Sequence, residues 1–104
     1  MAFVKSGNIP IRHGAQQQGI RRACQVARDV LIKTASQVHA GVTTGEVDRF
    51  AAAEIKACGA TSAFLGYRQF PGTICISINE EVVHGIGGPR VIQDGDLVKI
   101  DVGV

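Results

Sequence analysis

Two side chains in the second half of the sequence have types and neighbours that could do chemistry, Asp101 and His84. Asp101 lies in the segment LVKIDVGV, in which every second residue is apolar. Alternate residues of a β-strand face opposite sides, so Asp101 shares a face with Lys99, away from the apolar face. Carboxylates are preferred ligands of hard divalent cations. A carboxylate beside a lysine is also ordinary strand surface, and both interpretations stay open on spacing alone.

His84 precedes Gly85 in the apolar segment VVHGI. A glycine inside a strand allows a ligand to approach the backbone closely, which favours a functional histidine, whereas a single strand histidine is more often structural. Three nearby side chains could line a pocket or belong to the core: Tyr67, Phe70 and Cys75. The chain has neither a phosphate-binding loop nor a nucleophilic-serine motif.

Two helices are predicted before these strands. Apolar residues at helical spacing predict an amphipathic helix over 16–40, with Ile20, Leu31 and Cys24 on its buried face. A second helix is predicted over 43–58, because Thr43 and Glu46 form a capping box. Gly59 fits the left-handed stop. The predicted buried stripe of this helix is Val47, Phe50, Ala51, Ile55 and Cys58, and its acidic residues (Glu46, Asp48 and Glu54) are assigned to capping, the helix dipole and solvent.

Residues 63–104 are predicted to be strands and connections. TICISI reads as a strand, VVHGI as the returning strand of a hairpin, and LVKIDVGV as the final strand. The order helix, helix, strands indicates an α+β fold in a single domain over 1–104, with two helices packed on an antiparallel sheet. Residues 1–15 are an amino-terminal extension of that domain.

Composition excludes several classes of protein. The chain has 104 residues, 45% of them apolar and 19% charged, and no apolar run reaches the roughly 20 residues of a membrane span. Its start lacks the apolar core of a signal peptide, so a cytoplasmic location is expected. The three cysteines are odd in number and lack a C-x-x-C pair, which predicts reduced thiols.

Charge is distributed unevenly along the chain. Residues 1–33 carry six basic side chains and one acidic one, whereas residues 34–104 carry five basic and eight acidic. The basic part could contact ribosomal RNA through Arg21, Arg22 and Arg28. The same arginines could equally solvate the outer face of a helix.

Three segments in order, GVTTGEVDRF, LGYRQFPGTICISINEEVVHGI and DGDLVKIDVGV, resemble the type I methionine aminopeptidases over about 20–104. The resemblance implies half of the pita-bread fold. It also implies removal of the initiator methionine from nascent polypeptides by two divalent ions (Co, Mn, Fe or Zn) that share a bridging water.

The same resemblance implies a role for each candidate residue. Asp101 would be the first carboxylate ligand of the metal site, and His84 would be catalytic, hydrogen-bonding the substrate amide and the tetrahedral species. The methionine pocket would be lined by Tyr67, Phe70, Cys75 and Phe64. Phe64 is larger than the residue expected at that position, and many members of the family have proline at the position of Gly87.

Four of the family's five metal ligands would follow Val104. A single carboxylate binds divalent ions weakly, since these ions need several ligands. The first hypothesis is therefore a truncated, engineered or split amino-terminal half of a methionine aminopeptidase. It would be inactive alone and would associate with the complementary carboxy-terminal half or with itself as a homodimer. The alternative is a non-catalytic binding module for the ribosome, RNA or a protein. No membrane partner is expected.

Overall fold

The structure, a computed structural model, describes residues 9–104. Helices α1 (Ala15–Ala35) and α2 (Thr44–Ala57) precede a 3₁₀ turn (Tyr67–Gln69) and strands β1 (Cys75–Ile78) and β2 (Val98–Asp101). The strands pair antiparallel. The helices pack on each other, α1 contacts β2 and α2 contacts β1. This arrangement confirms the predicted α+β fold, two helices on an antiparallel sheet.

Helix α1 is buried only toward its carboxy-terminal end. Val30 and Thr34 are buried, whereas Ile20, Leu31 and Cys24 are exposed. The periodicity was therefore wrong about these three. Ile20 and Cys24 lie in the early turns, which α2 and the sheet do not cover, whereas Leu31 lies in a covered turn but beside the buried stripe. The helix ends at Ala35 rather than at residue 40. After the helix, the Gln37 amide donates to the Thr34 carbonyl (3.0 Å) and the Val38 amide to the Ala35 carbonyl (3.1 Å). These tighter bonds of the 3₁₀ type terminate the helix.

Helix α2 begins and ends as its sequence predicts. The Thr43 hydroxyl accepts a hydrogen bond from the Glu46 amide (3.1 Å), and the Glu46 carboxylate accepts one from the Thr43 amide (3.4 Å). Gly59 follows with a φ of 71° in the left-handed region. Val47, Ala51 and Ile55 are buried and Phe50 is half-buried, but Cys58 is exposed. Cys58 lies beyond the last helical turn as the C-cap, so it is not part of the buried stripe of α2.

Strand β1 is the centre of the core. All four of its residues are buried, and Ile74, Ile76 and Ile78 are among the largest fully buried side chains of the described residues. The apolar face of β2 and the residues after it (Val98, Ile100, Val102 and Val104) packs against this cluster, as the alternation predicts. Because the sheet has only two strands, the core depends on helix packing on one side of β1.

The predicted hairpin strand VVHGI is wrong. Residues 82–86 contain no strand, and the antiparallel partner of β1 is β2. His84 has a φ of 59°, outside the β region, so the chain cannot continue a ladder of hydrogen bonds. The segment instead touches β1 at Gly85. The Ile76 amide donates to the Gly85 carbonyl (3.0 Å), and the Gly85 amide donates to the Ser77 hydroxyl (2.9 Å).

Asp48 fixes the start of β1 against α2. Its Oδ1 accepts hydrogen bonds from the amides of Thr73 and Ile74, both at 3.0 Å. The sequence assigned Asp48, with the other acidic residues of α2, to capping, the helix dipole and solvent, and the structure gives it this bridging position as well. No helix of the described residues is long and apolar enough to cross a membrane.

We expect Asp48→Ala to lower the free energy of unfolding by about 2 kcal/mol, because two backbone amides lose a charged acceptor. Urea unfolding followed by circular dichroism measures this. The control is Asp29→Ala, which removes an exposed carboxylate paired with Arg28 at 3.1 Å and should change the value by about 0.5 kcal/mol or less. Equal effects of the two substitutions would contradict the bridging role.

We expect Gly85→Ala to destabilise the fold by about 3 kcal/mol, because a Cβ there would overlap the Ile76 carbonyl oxygen. Gly88→Ala is the matched control, since a Cβ at Gly88 meets nothing within 4 Å. Thermal unfolding compares the two variants. A Gly85→Ala protein as stable as the Gly88→Ala protein would show that residues 82–86 do not dock on β1 in solution.

Candidate active site

One open cavity of about 440 Å³ brings the predicted site residues together. Its lining consists of Phe64, Tyr67, Arg68, Phe70, Cys75, His84 and Asp101. Every side chain that the sequence selected is present, and Arg68 is an addition. The residues come from β1, β2, the loop 64–70 that contains the 3₁₀ turn, and the segment that contains Gly85. The cavity therefore exists only when these four parts of the chain are assembled.

Asp101 ends β2 directly opposite Cys75 of β1, and it is exposed. Its exposure agrees with the alternative of a solvent-facing carboxylate near Lys99, although Lys99 donates to the Asn79 carbonyl (2.7 Å) rather than to Asp101. Among the described residues Asp101 forms no ion pair. Its carboxylate therefore borders the cavity without a partner from residues 9–104.

His84 is exposed at the cavity, and its position depends on the docking of Gly85. The sequence interpreted Gly85 as leaving room for a ligand. In the structure the backbone of β1 occupies that room, since a Cβ on Gly85 would overlap Ile76. Gly85 thus holds the backbone beside His84 against the strand, and the left-handed conformation of His84 is fixed by that contact.

The aromatic wall is built on a hydrogen-bonded loop. The Gly66 amide donates to the Phe70 carbonyl and the Tyr67 amide donates to the Phe64 carbonyl, both at 2.9 Å. The Ser62 hydroxyl accepts from the Phe64 amide (3.1 Å). These bonds hold three aromatic side chains on one short segment beside β1.

The Phe64 ring lies against Gly103. A Cβ on Gly103 would be 2.7 Å from Phe64 Cε1, so only a residue without a side chain fits beneath the ring. The sequence indicated that Phe64 is large for its position, and it gave no sign of this accommodation.

Cys75 is buried and stays protonated. Burial raises the pKa of the Cys75 thiol, and the carboxylates of Asp101 and then Asp48 raise it further. All three cysteines of the chain are free thiols, as predicted. Across residues 9–104, no group of three or more His, Cys, Asp or Glu side chains could hold a metal ion.

We expect Cys75 to react with iodoacetamide more slowly than Cys24 and Cys58, which are exposed. Asp101→Asn should speed the reaction at Cys75, because it removes a carboxylate that raises the pKa of the thiol. Mass spectrometry of protein alkylated at pH 8 measures each site. Asp94→Asn, in the turn before β2, is the control with no expected change. Identical Cys75 rates in both variants would contradict the coupling between Cys75 and Asp101.

Comparison with known proteins supports the same architecture. The structure superposes on the crystal structure of methionine aminopeptidase from Thermotoga maritima with a TM-score of 0.88 and 28% sequence identity, covering 91% of this chain and 39% of that one. The match to the Rickettsia prowazekii enzyme has a TM-score of 0.78 and 32% identity, over 89% and 38% of the two chains. The fold is thus part of the pita-bread fold.

Proteins that are similar to this chain in sequence are also named methionine aminopeptidases. The chain is 48% identical over 99 residues to the methionine aminopeptidase of Treponema pallidum, covering 92% of this chain and 37% of the relative. It is 38% identical over 109 residues to the mitochondrial methionine aminopeptidase 1D of Danio rerio, covering 98% and 32%. The chain spans about a third of the length of these two relatives. Residues 18–104 match the model of metallopeptidase family M24, and the chain belongs to that family.

Proposed function

We propose that this chain supplies the amino-terminal half of a methionine aminopeptidase active site. The observation that carries the proposal is a cavity in which Asp101, a carboxylate with no ion-pair partner among residues 9–104, and an exposed histidine, His84, border an aromatic wall. An aminopeptidase for methionine needs an apolar pocket for the side chain and polar groups at the peptide bond. Both kinds of surface are present within about 440 Å³.

The apolar part of the cavity is suited to the substrate side chain. Phe64, Tyr67, Phe70 and Cys75 form a wall in which the thiol is neutral and the rings are held by backbone hydrogen bonds. Thioethers make favourable contacts with aromatic rings. The proposed roles are that this wall binds the methionine side chain and that His84 hydrogen-bonds the amide of the peptide bond to be cleaved.

M24 is a metallopeptidase family, and a divalent metal site needs several protein ligands. Asp101 offers one carboxylate, and the described residues form no cluster of three ligands. Residues 9–104 therefore do not fit a divalent ion by themselves. When bound, such ions polarise the peptide carbonyl and activate water. We propose that Asp101 is one ligand of a site completed by residues outside this chain, and that the chain is inactive alone.

The partner that completes the site would bind beside β2. One edge of β2 pairs with β1, and no other strand of the described residues pairs with the second edge. Strand edges of this kind recruit further strands. Exposed apolar side chains lie just before β2, at Leu97, and in the segment that docks on the opposite edge of β1, at Val82, Val83 and Ile86. We propose that the complementary half pairs with the free edge of β2, and that a second copy of the chain competes for that edge.

The alternative of an RNA-binding module has less support. Arg28 is paired with Asp29 on the same helix at 3.1 Å, so part of the positive charge of α1 is neutralised locally. Arg21 and Arg22 are exposed, as surface arginines ordinarily are. Nothing in the arrangement of these residues favours nucleic acid over solvent.

We expect the purified chain with Mn²⁺ or Co²⁺ to release no methionine from Met-Ala-Ser. Release should appear when the carboxy-terminal remainder of the Treponema pallidum enzyme is added, because that part would complete the site. Asp101→Asn should lower the restored rate about 100-fold or more, and His84→Ala about 10- to 100-fold. Free methionine is quantified by chromatography.

Asp94→Asn is the control and should leave the restored rate unchanged. Size-exclusion chromatography establishes that the two parts associate. An associated complex without activity, or an active Asp101→Asn complex, would contradict the proposed site. Turnover by the chain alone that is lost in Asp101→Asn would contradict only the proposed dependence on a partner.

A further inference from the structure

Arg68 lines the cavity, and the proposed function gives it no role. Its Cζ lies 5.4 Å from the centroid of the Tyr67 ring, a distance at which cation and ring attract. Two other arginines are paired with carboxylates, Arg28 with Asp29 and Arg90 with Glu80. Arg68 has no such pair within residues 9–104. Its guanidinium is therefore a charge held at the cavity with its hydrogen-bond donors available.

The backbone holds Arg68 in an unfavourable conformation. Arg68 and Gln69 have φ values of 47° and 67°, consecutive left-handed residues that each cost roughly 1 kcal/mol or more. The loop tolerates this because the Gln69 amide donates to the Gly66 carbonyl (3.2 Å) and the Phe70 amide to the Tyr67 carbonyl (2.9 Å). Backbone strain of this kind concentrates at ligand-binding positions. The conformation keeps Arg68 on the cavity side of the loop.

The other charges that line the cavity leave Arg68 available. Asp101 borders the same cavity, yet it forms no salt bridge with Arg68. A guanidinium that stacks on a ring keeps its planar edge free, and that edge matches a carboxylate with two parallel hydrogen bonds. The unused partner of Arg68 is therefore an anion that comes with the ligand.

We infer that Arg68 recognises a carboxylate of the peptide, one or two residues after the residue that fills the cavity. The inference rests on the proposed function, because it takes the cavity to bind the first residue of a peptide. Successive residues of an extended peptide advance about 3.3 Å, so the second and third residues leave the apolar wall toward the rim. The carboxylate is either an acidic side chain or the carboxy terminus of a short peptide.

Binding of three peptides to the full chain tests the inference. The peptides are Met-Ala-Asp amide, Met-Ala-Asn amide and Met-Ala-Asn with a free carboxy terminus, and the readout is the dissociation constant from NMR titration. The aspartyl amide should bind about three- to tenfold more tightly than the asparaginyl amide, the expected range for one charge-assisted pair at an exposed position. Arg68→Met should abolish that ratio, because the aspartyl side chain loses its charged partner.

Two further variants sharpen the test. Arg68→Lys keeps the charge without the planar fork, so it should retain only part of the ratio. Arg22→Met removes an exposed arginine from α1 and should retain all of it. Tighter binding of the free-carboxylate peptide than of its amide, lost in Arg68→Met, supports the inference and identifies the carboxy terminus as a source.

The unfavourable outcomes are distinguishable. Equal affinity for aspartyl and asparaginyl amides, with shifts at Tyr67 and Cys75, overturns the role of Arg68 and leaves the peptide site standing. A ratio that persists in Arg68→Met also overturns it. If no peptide shifts the cavity signals, the inference falls, whereas the proposed function is decided by the reconstitution with the carboxy-terminal remainder.

Discussion

The pairing of β1 with β2 is the interaction on which the site depends. This register sets Cys75 opposite Asp101, and it turns the carboxylate outward while the alternate residues of β2 face the core. A slip of one residue would bury the charge and expose the apolar face. The core beneath the sheet therefore fixes the register, and the register determines which side of the molecule carries the carboxylate.

Strand β1 is short, and contacts from three directions hold it in place. Asp48 of α2 binds the amides at its start, β2 pairs along one edge, and Gly85 touches the other edge through a single backbone position. A four-residue strand has few hydrogen bonds of its own, so its position is decided by these neighbours. The cavity depends on the same contacts, because the docking of Gly85 on β1 sets the position of His84.

Local signals in the sequence predicted the parts of the fold that local interactions determine. The capping box of Thr43 and Glu46 is complete within four residues, and it formed as expected. The alternation in β2 likewise needed no knowledge of distant residues. The hairpin strand around His84 failed because apolar composition does not reveal a left-handed φ. The segment has the apolar residues typical of a strand, but its backbone at His84 is left-handed.

Interactions between distant segments could not be predicted in this way. Asp48 serves residues far along the chain, and nothing in the helix around it signals that its partners are the amides of Thr73 and Ile74. Residue type and neighbours selected Asp101, His84 and the pocket candidates, and the resemblance to a family gave them roles and added Phe64. The same segment contained Arg68 without marking it. An arginine in a loop has no periodic signature, so its position on the cavity becomes visible only in three dimensions.

The contact between Phe64 and Gly103 links the size of the side chain at position 64 to the absence of a side chain at position 103. Because the ring rests on bare backbone, any side chain added at position 103 would push the ring toward the cavity and reduce its depth. A smaller residue at position 64 would in turn leave a void above the glycine. These two positions therefore behave as a single steric unit, in which the tolerated residue at one depends on the residue at the other.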